Sequence, residues 1–224
     1  MLAPDGAGLK PYMSTHALRA ALTTPFASLI LDSRIEIAPR LRRKQITDFN
    51  SIYKQAVSFA TDRDISVAMV HWPIPHPPNI YDRASNKISD APGQSYLDNL
   101  ALVDRTVGDI RRAMEAEGTW DDSVVLITSD HWWRGRSLWR KYKSWTAEDE
   151  TASDGIGDRR IPFILKMPGS RQPTKFAEPF NTVLTHDLLL AILHGEVSDA
   201  TGAAVWLDRH RSIGRSPYDD RTFR

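Results

Sequence analysis

Asp130 and His131 stand side by side and offer a hard carboxylate oxygen next to an imidazole nitrogen. That mixture suits zinc, manganese or a similar divalent ion. The pair closes the run Val124-Val125-Leu126-Ile127-Thr128-Ser129, whose Val/Leu/Ile part has no polar alternation and reads as a strand buried on both faces of an α/β sheet. Ligands of such sheets gather at the carboxyl ends of the strands, where Asp130 and His131 fall. A second group lies in His71-Trp72-Pro73-Ile74-Pro75-His76-Pro77-Pro78, where four prolines forbid helix and ladder pairing and hold two histidines on a stiff loop. A plainer role for them is that His71 packs beneath Trp72 and His76 caps a turn. Cysteine is absent, which excludes thiolate ligands and disulfides. Any nucleophile must be of another type.

Other titratable residues carry less chemistry. Asp121 and Asp122 precede the strand, at the end away from Asp130, and Asp98, Asp104 and Asp109 on a helix read as surface or capping groups. His186 falls in the first turn of a short helix and reads as a surface residue. Beyond His131, Trp132, Trp133, Trp139 and Trp145 interleave with Arg134, Arg136, Arg140, Lys141 and Lys143. Such a mixture can stack on single-stranded nucleic acid, but beside Asp130 it reads better as a substrate-shaping loop.

The elements that must position these groups follow in order. Apolar residues from Ile46 to Ala60 recur at helical spacing, with Thr47 or Asp48 available as caps. Ile65 to Val70 reads as a second buried strand, ending at His71. Ser95 to Glu117 is the longest helix, with Tyr96, Leu100, Val103, Val107, Ile110 and Met114 as its stripe and Gly118 as its stop. Thr146 to Arg159 reads as an exposed acidic loop, and Arg160 to Leu165 as a third strand with an early proline. Thr185 to His194 is a helix capped by Thr185 and stopped at Gly195. Val205-Trp206-Leu207 reads as a last strand, and the basic cluster Arg40, Arg42, Arg43 and Lys44 as a solvated helix start or linker. No repeat is visible.

With 224 residues, one substantial core is expected. The net charge of +1 provides no global field toward nucleic acid or an anionic membrane. No stretch approaches the roughly 18 to 20 consecutive apolar residues of a spanning helix, and the amino terminus shows no export signal.

Taken together, the chain resembles the later portion of the catalytic domain in the sulfatase family of the alkaline phosphatase superfamily. The resemblance rests on Pro75-His76-Pro77-Pro78, Tyr96-Leu97-Asp98-Asn99 with Val103-Asp104, and Gly118 to Ser123. It continues through Thr128-Ser129-Asp130-His131, Leu138-Trp139-Arg140-Lys141, Arg160 to Phe163 with Met167-Pro168-Gly169, and Thr185 to Leu188. It covers about residues 46 to 195. The implied fold is α/β, a partial alkaline phosphatase-like α/β/α sandwich with a mostly parallel central sheet. Residues 46–207 would be the partial catalytic domain, 1–45 a poorly defined extension and 208–224 an Arg-rich tail.

The resemblance implies hydrolysis of a sulfate or phosphate ester with a divalent metal ion (Ca, Mg, Mn or Zn), and no nucleic acid as partner. Asp130 and His131 match metal ligands, His76 the histidine that contacts the ester and its leaving group, and Lys141 the lysine that binds the sulfate or phosphate, with Lys143 a competitor. A periplasmic or membrane-anchored full-length protein is compatible with the family. Two departures stand out. Trp132 replaces the glycine that normally follows Ser-Asp-His, and no Cys-x-Pro-x-Arg or Ser-x-Pro-x-Arg occurs; Thr23-Thr24-Pro25 lacks the arginine. The residues before Ile46 are too few for the strands that carry the family's nucleophile and first metal carboxylates. The expectation is therefore a C-terminal portion inactive alone, or, alternatively, a degenerate binding module that keeps the fold.

Overall fold

The computed structural model describes residues 25–134, 140, 145–154 and 159–212. The first element is α1, Pro25–Thr61, with Pro39 inside it. The helix expected from Ile46 to Ala60 is thus the second half of a longer one. Thr47 and Asp48 consequently lie within it and cap nothing: the Thr47 hydroxyl donates to the Arg43 carbonyl (3.0 Å), and Asp48 pairs with Lys44 at 2.5 Å. The basic cluster is therefore helical.

The longest element that positions the candidate residues is α2, Tyr96–Ala116. Its start is a capping box. The Ser95 hydroxyl accepts from the Asp98 amide (3.1 Å), while the Asp98 carboxylate accepts from the Ser95 amide (2.7 Å), so two donors with no intrahelical partner are satisfied. Gly118, at φ +68°, takes the left-handed conformation that ends the helix. The buried face is not quite the expected stripe. It runs through Tyr96, Asn99, Leu102, Thr106 and Met114, whereas Leu100 is 40% exposed. The helix turns so that Asn99 points inward, where it meets backbone groups of the proline loop.

A small antiparallel hairpin, β1 (Tyr81–Asp82) with β2 (Lys87–Ile88), follows that loop. The run expected to be a central parallel strand forms β3, Val125–Thr128, and pairs antiparallel with β4, Phe163–Lys166. Among the described residues the sheets are these two antiparallel pairs, and they provide no parallel ladder. An apolar run by itself sets no strand direction. Pro162 falls just before β4, outside the ladder, and its carbonyl accepts from the Thr128 hydroxyl (2.9 Å), which fixes where the strand starts.

Ile65 to Val70, expected as a buried strand, has no ladder partner among the described residues; Val67 is 63% and Met69 91% exposed. Thr146 to Arg159 is not merely a loop, because α3, Ala147–Ala152, starts from a second capping box of Thr146 and Asp149. Asp149 is buried as a result. Helix α4, Leu184–Leu193, has Val183 and not Thr185 at its cap position, its entry held by the Val183 amide donating to the Asn181 side chain (3.0 Å). Gly195 (φ +77°) follows its end. Val205 to Leu207 belongs to helix α5, Ala200–His210, capped by Asp199. A three-residue apolar run has no periodicity that separates strand from helix; here Ala203 and Leu207, four apart, bury one helical face.

Two apolar clusters form the core. One joins Phe49 of α1 and Leu102 of α2 with Ile74, Ile80 and Tyr81. The other joins Met167 with Leu188 and Ala191 of α4, Val197, and Ala203 and Leu207 of α5. Between them, the Lys166 ammonium donates to the carbonyls of Trp120, Asp121 (3.2 Å) and Ser123 (2.9 Å), pinning the turn before β3 to the end of β4. Burial lowers the Lys166 pKa, and the nearby Asp121 and Asp122 oppose that shift. No described helix is long and apolar enough to cross a membrane.

Candidate functional site

Asp130 and His131 leave β3 at its carboxyl end, as expected. Asp130 is 68% and His131 26% exposed at the side chain, and Asp130 Oδ1 lies 3.9 Å from His131 Nε2. His131 Nδ1 is 2.7 Å from the Trp132 carbonyl oxygen. That oxygen can only accept, so Nδ1 carries the hydrogen, and Nε2 presents its lone pair toward the side of Asp130. A backbone carbonyl fixing the far nitrogen in this way is the usual support of a metal-binding histidine. Two donors about 2 Å from a tetrahedral ion stand about 3.3 Å apart, so at 3.9 Å the pair would have to close by about half an ångström on a zinc-sized ion, whereas a larger ion with bonds of about 2.4 Å spans it as it stands. The residues thus fit a metal as half of a ligand set: among the described residues no group of three or more His, Cys, Asp or Glu is gathered for one ion.

The loop is held from both sides. The Ser129 hydroxyl donates to the His131 carbonyl (2.8 Å). Trp133 packs edge-on against Tyr96 with ring centroids 4.0 Å apart, and tilts against Trp145 at 6.2 Å. Burial raises the Tyr96 pKa, so its hydroxyl stays neutral throughout ordinary conditions. Trp132, where the family has glycine, carries the Arg159 guanidinium over its ring at 5.9 Å. Asn86 is the one non-glycine residue with positive φ among those described, so Trp132 sits in ordinary backbone that needs no glycine.

His76 stands on the proline loop, whose Ile74-Pro75 and Pro77-Pro78 bonds are both cis. Its Nδ1 lies 2.7 Å from the Pro77 carbonyl and by the same argument carries the hydrogen of that contact. Two amides that sequence reasoning did not single out hold this loop. Gln45 Nε2 donates to the carbonyls of Pro73 (2.8 Å) and His76 (3.0 Å). Asn99, fully buried, donates to the carbonyls of Pro75 (3.3 Å) and His76 (3.4 Å) and accepts from the Ile80 amide (2.9 Å). The available signal was a polar residue within an apolar helical stripe, where a buried amide must find partners.

Since Asn99 and Tyr96 share the first turn of α2, the His76 loop and the Asp130-His131 loop are brought to the same end of that helix. Lys141 and its competitor Lys143 lie outside the described residues. Asp121 and Asp122 sit at the opposite end of β3, beside Lys166, and take no part. His186 is exposed, pairs with Asp187 at 2.8 Å, and remains a surface residue. Asp98 is a cap and also meets Arg83 at 3.0 Å.

A family model, Sulfatase, matches residues 38–194. No curated protein and no solved structure matches the chain.

Proposed function

The chain belongs to the sulfatase family, and from that premise we propose that it is the later portion of a metal-dependent hydrolase of sulfate or phosphate esters. Residues 46–207 form the partial catalytic domain in this reading, with an extension before them and the Arg-rich segment 208–224 behind. The observation that carries it is the convergence of Asp130 Oδ1 and His131 Nε2 at 3.9 Å, with the far imidazole nitrogen fixed on a carbonyl. These residues would hold the metal. When bound, a divalent ion supplies Lewis-acid polarisation of the ester oxygens. With its ring protonated at both nitrogens, His76 would deliver the Nε2 proton to the departing oxygen while Nδ1–H stays on the Pro77 carbonyl, the loop backbone being held by Gln45 and Asn99. Lys141 binds the sulfate or phosphate group by charge.

The nucleophile and the first metal carboxylates come from polypeptide outside this chain, so the chain alone turns over little or no ester. The test is calorimetric titration of the 224-residue chain with Mn, Zn, Ca and Mg ions, alongside assays of arylsulfate and phosphodiester cleavage. We expect weak metal binding that Asp130→Asn or His131→Ala reduces by about tenfold or more, and turnover near background. Efficient hydrolysis by the chain would overturn the assignment of the missing nucleophile. A second reading, a non-catalytic binding module of the same fold, is favoured by the pair of donors standing without a third among the described residues. It predicts no measurable metal binding and retained affinity for sulfate or phosphate.

A further inference from the structure

The turn between α2 and β3 is braced from several sides. The Thr119 hydroxyl donates to the Ala60 carbonyl near the end of α1 (3.0 Å), and the Ser123 hydroxyl donates to the Thr119 carbonyl (2.7 Å). Arg63 donates to the carbonyls of Glu117 and Gly118, both at 3.0 Å. From beyond β4, the Gly169 amide donates to the Asp121 carbonyl (2.9 Å), and Lys166 holds three carbonyls of the turn. A cavity of about 650 Å³ opens beside this rigid turn, between the last turns of α2 and the residues that follow β4. It lies at the end of β3 away from Asp130 and His131.

Arg111, Lys166 and Arg171 are the cations of its lining, and Trp120 is its apolar wall. The three cations are not equivalent. Lys166 donates to the carbonyls of Trp120, Asp121 and Ser123, so it acts on the cavity through its charge. Arg111 is held at Nε by Glu115 (2.8 Å) and lies over the Trp120 ring at 5.1 Å, while its two Nη groups make no hydrogen bond among the described residues. Arg171 has neither a hydrogen bond nor an ion pair among the described residues. The carboxylates of the lining do not answer these groups. Glu115 is engaged at the other side of Arg111, and Asp121 acts on the Lys166 charge. Two open guanidinium edges therefore share one cavity.

We propose that this cavity is a second binding site, which takes a phosphate or sulfate group between the Nη edge of Arg111 and the guanidinium of Arg171. A guanidinium fork binds an oxyanion through two parallel N–H bonds. One fork occupies both oxygens of a carboxylate, whereas a tetrahedral group has oxygens for two. The braced turn keeps the cavity formed without ligand, which lowers the ordering cost of binding. The occupant is either the free ion or the end of an ester. The volume left over by a five-atom ion, walled by Trp120 and Ser170, favours the ester. The site does not rest on the metal reading of Asp130 and His131.

The Trp120 indole N–H resonance of the isotope-labelled full chain, identified by its loss in Trp120→Phe, reports on this cavity and not on the Asp130-His131 end. The chain is titrated with inorganic phosphate, phenyl phosphate and acetate at one ionic strength, so that screening is equal throughout. Both phosphates should move the resonance to saturation, and acetate should bind about tenfold more weakly. Arg111→Gln and Arg171→Gln should each weaken phosphate binding by about tenfold. Arg209→Gln removes the same charge from the exposed surface of α5 and should leave that affinity unchanged. All three arginines are exposed, so the melting temperature should hold in each variant. Tighter binding of phenyl phosphate than of phosphate identifies an ester as the occupant, and equal binding identifies the free ion. The site is overturned by the absence of a saturable shift, by acetate binding as tightly as phosphate, or by Arg209→Gln weakening phosphate as much as Arg171→Gln does.

Discussion

Asn99 serves three backbone groups at once, donating to Pro75 and His76 and accepting from Ile80. Replacing it by leucine leaves the buried Ile80 N–H and the Pro75 carbonyl without this partner, while the His76 carbonyl keeps Gln45, a loss of about 1–3 kcal/mol, measurable by urea unfolding; exchange at the Ile80 amide should accelerate in parallel. Asp82 makes a prediction about acid. The Ser85 hydroxyl and amide and the Ala84 amide hold its carboxyl below the ordinary value of 3.8. The folded chain thus binds that proton less readily than the unfolded one. Its contribution is complete above the ordinary value and fades as pH falls through the depressed folded value. Acid titration by NMR should show the β1–β2 turn loosening in that window, and Asp82→Asn should remove the dependence. At this scale the placement of Asp130 and His131 just past the end of β3 was legible, because their position after an apolar run is written in the chain. Asn99 and Gln45 were not, since the partners they serve are brought near only by folding.

At the scale of elements, the capping box of α2 was partly written in the chain, with Ser95 at the start and Gly118 as the stop. Ser95→Ala should cost about 1 kcal/mol, read from the shift in denaturation midpoint, and Asp98→Asn should weaken both the cap and the contact with Arg83. Sequence reading located β3 to within a residue and placed the start of β4 three residues early, at Arg160 and not Phe163; it did not give their relative direction, because apolar composition is the same for either neighbour. It also misjudged Val205 to Leu207, where the helix is specified by the Asp199 cap and by alanines that carry little pattern. Ile65 to Val70 shows the reverse: its composition is that of a buried strand, while its surroundings among the described residues are solvent.

At the scale of the molecule, the order of motifs pointed to the family before any coordinate did, and the matched span 38–194 agrees. The α/β class follows from the family. The two apolar clusters carry one more consequence. Each is built from its own helices, and the contacts across the turn before β3 are polar: Lys166 donates to three carbonyls, and the Gly169 amide donates to the Asp121 carbonyl at 2.9 Å. The chain should therefore behave as two cooperative units rather than one. Leu188→Ala, which costs about 2–5 kcal/mol, should lower the melting of the α4–α5 unit and leave exchange protection around Leu102 nearly intact. Calorimetry should accordingly give a van't Hoff enthalpy smaller than the calorimetric one.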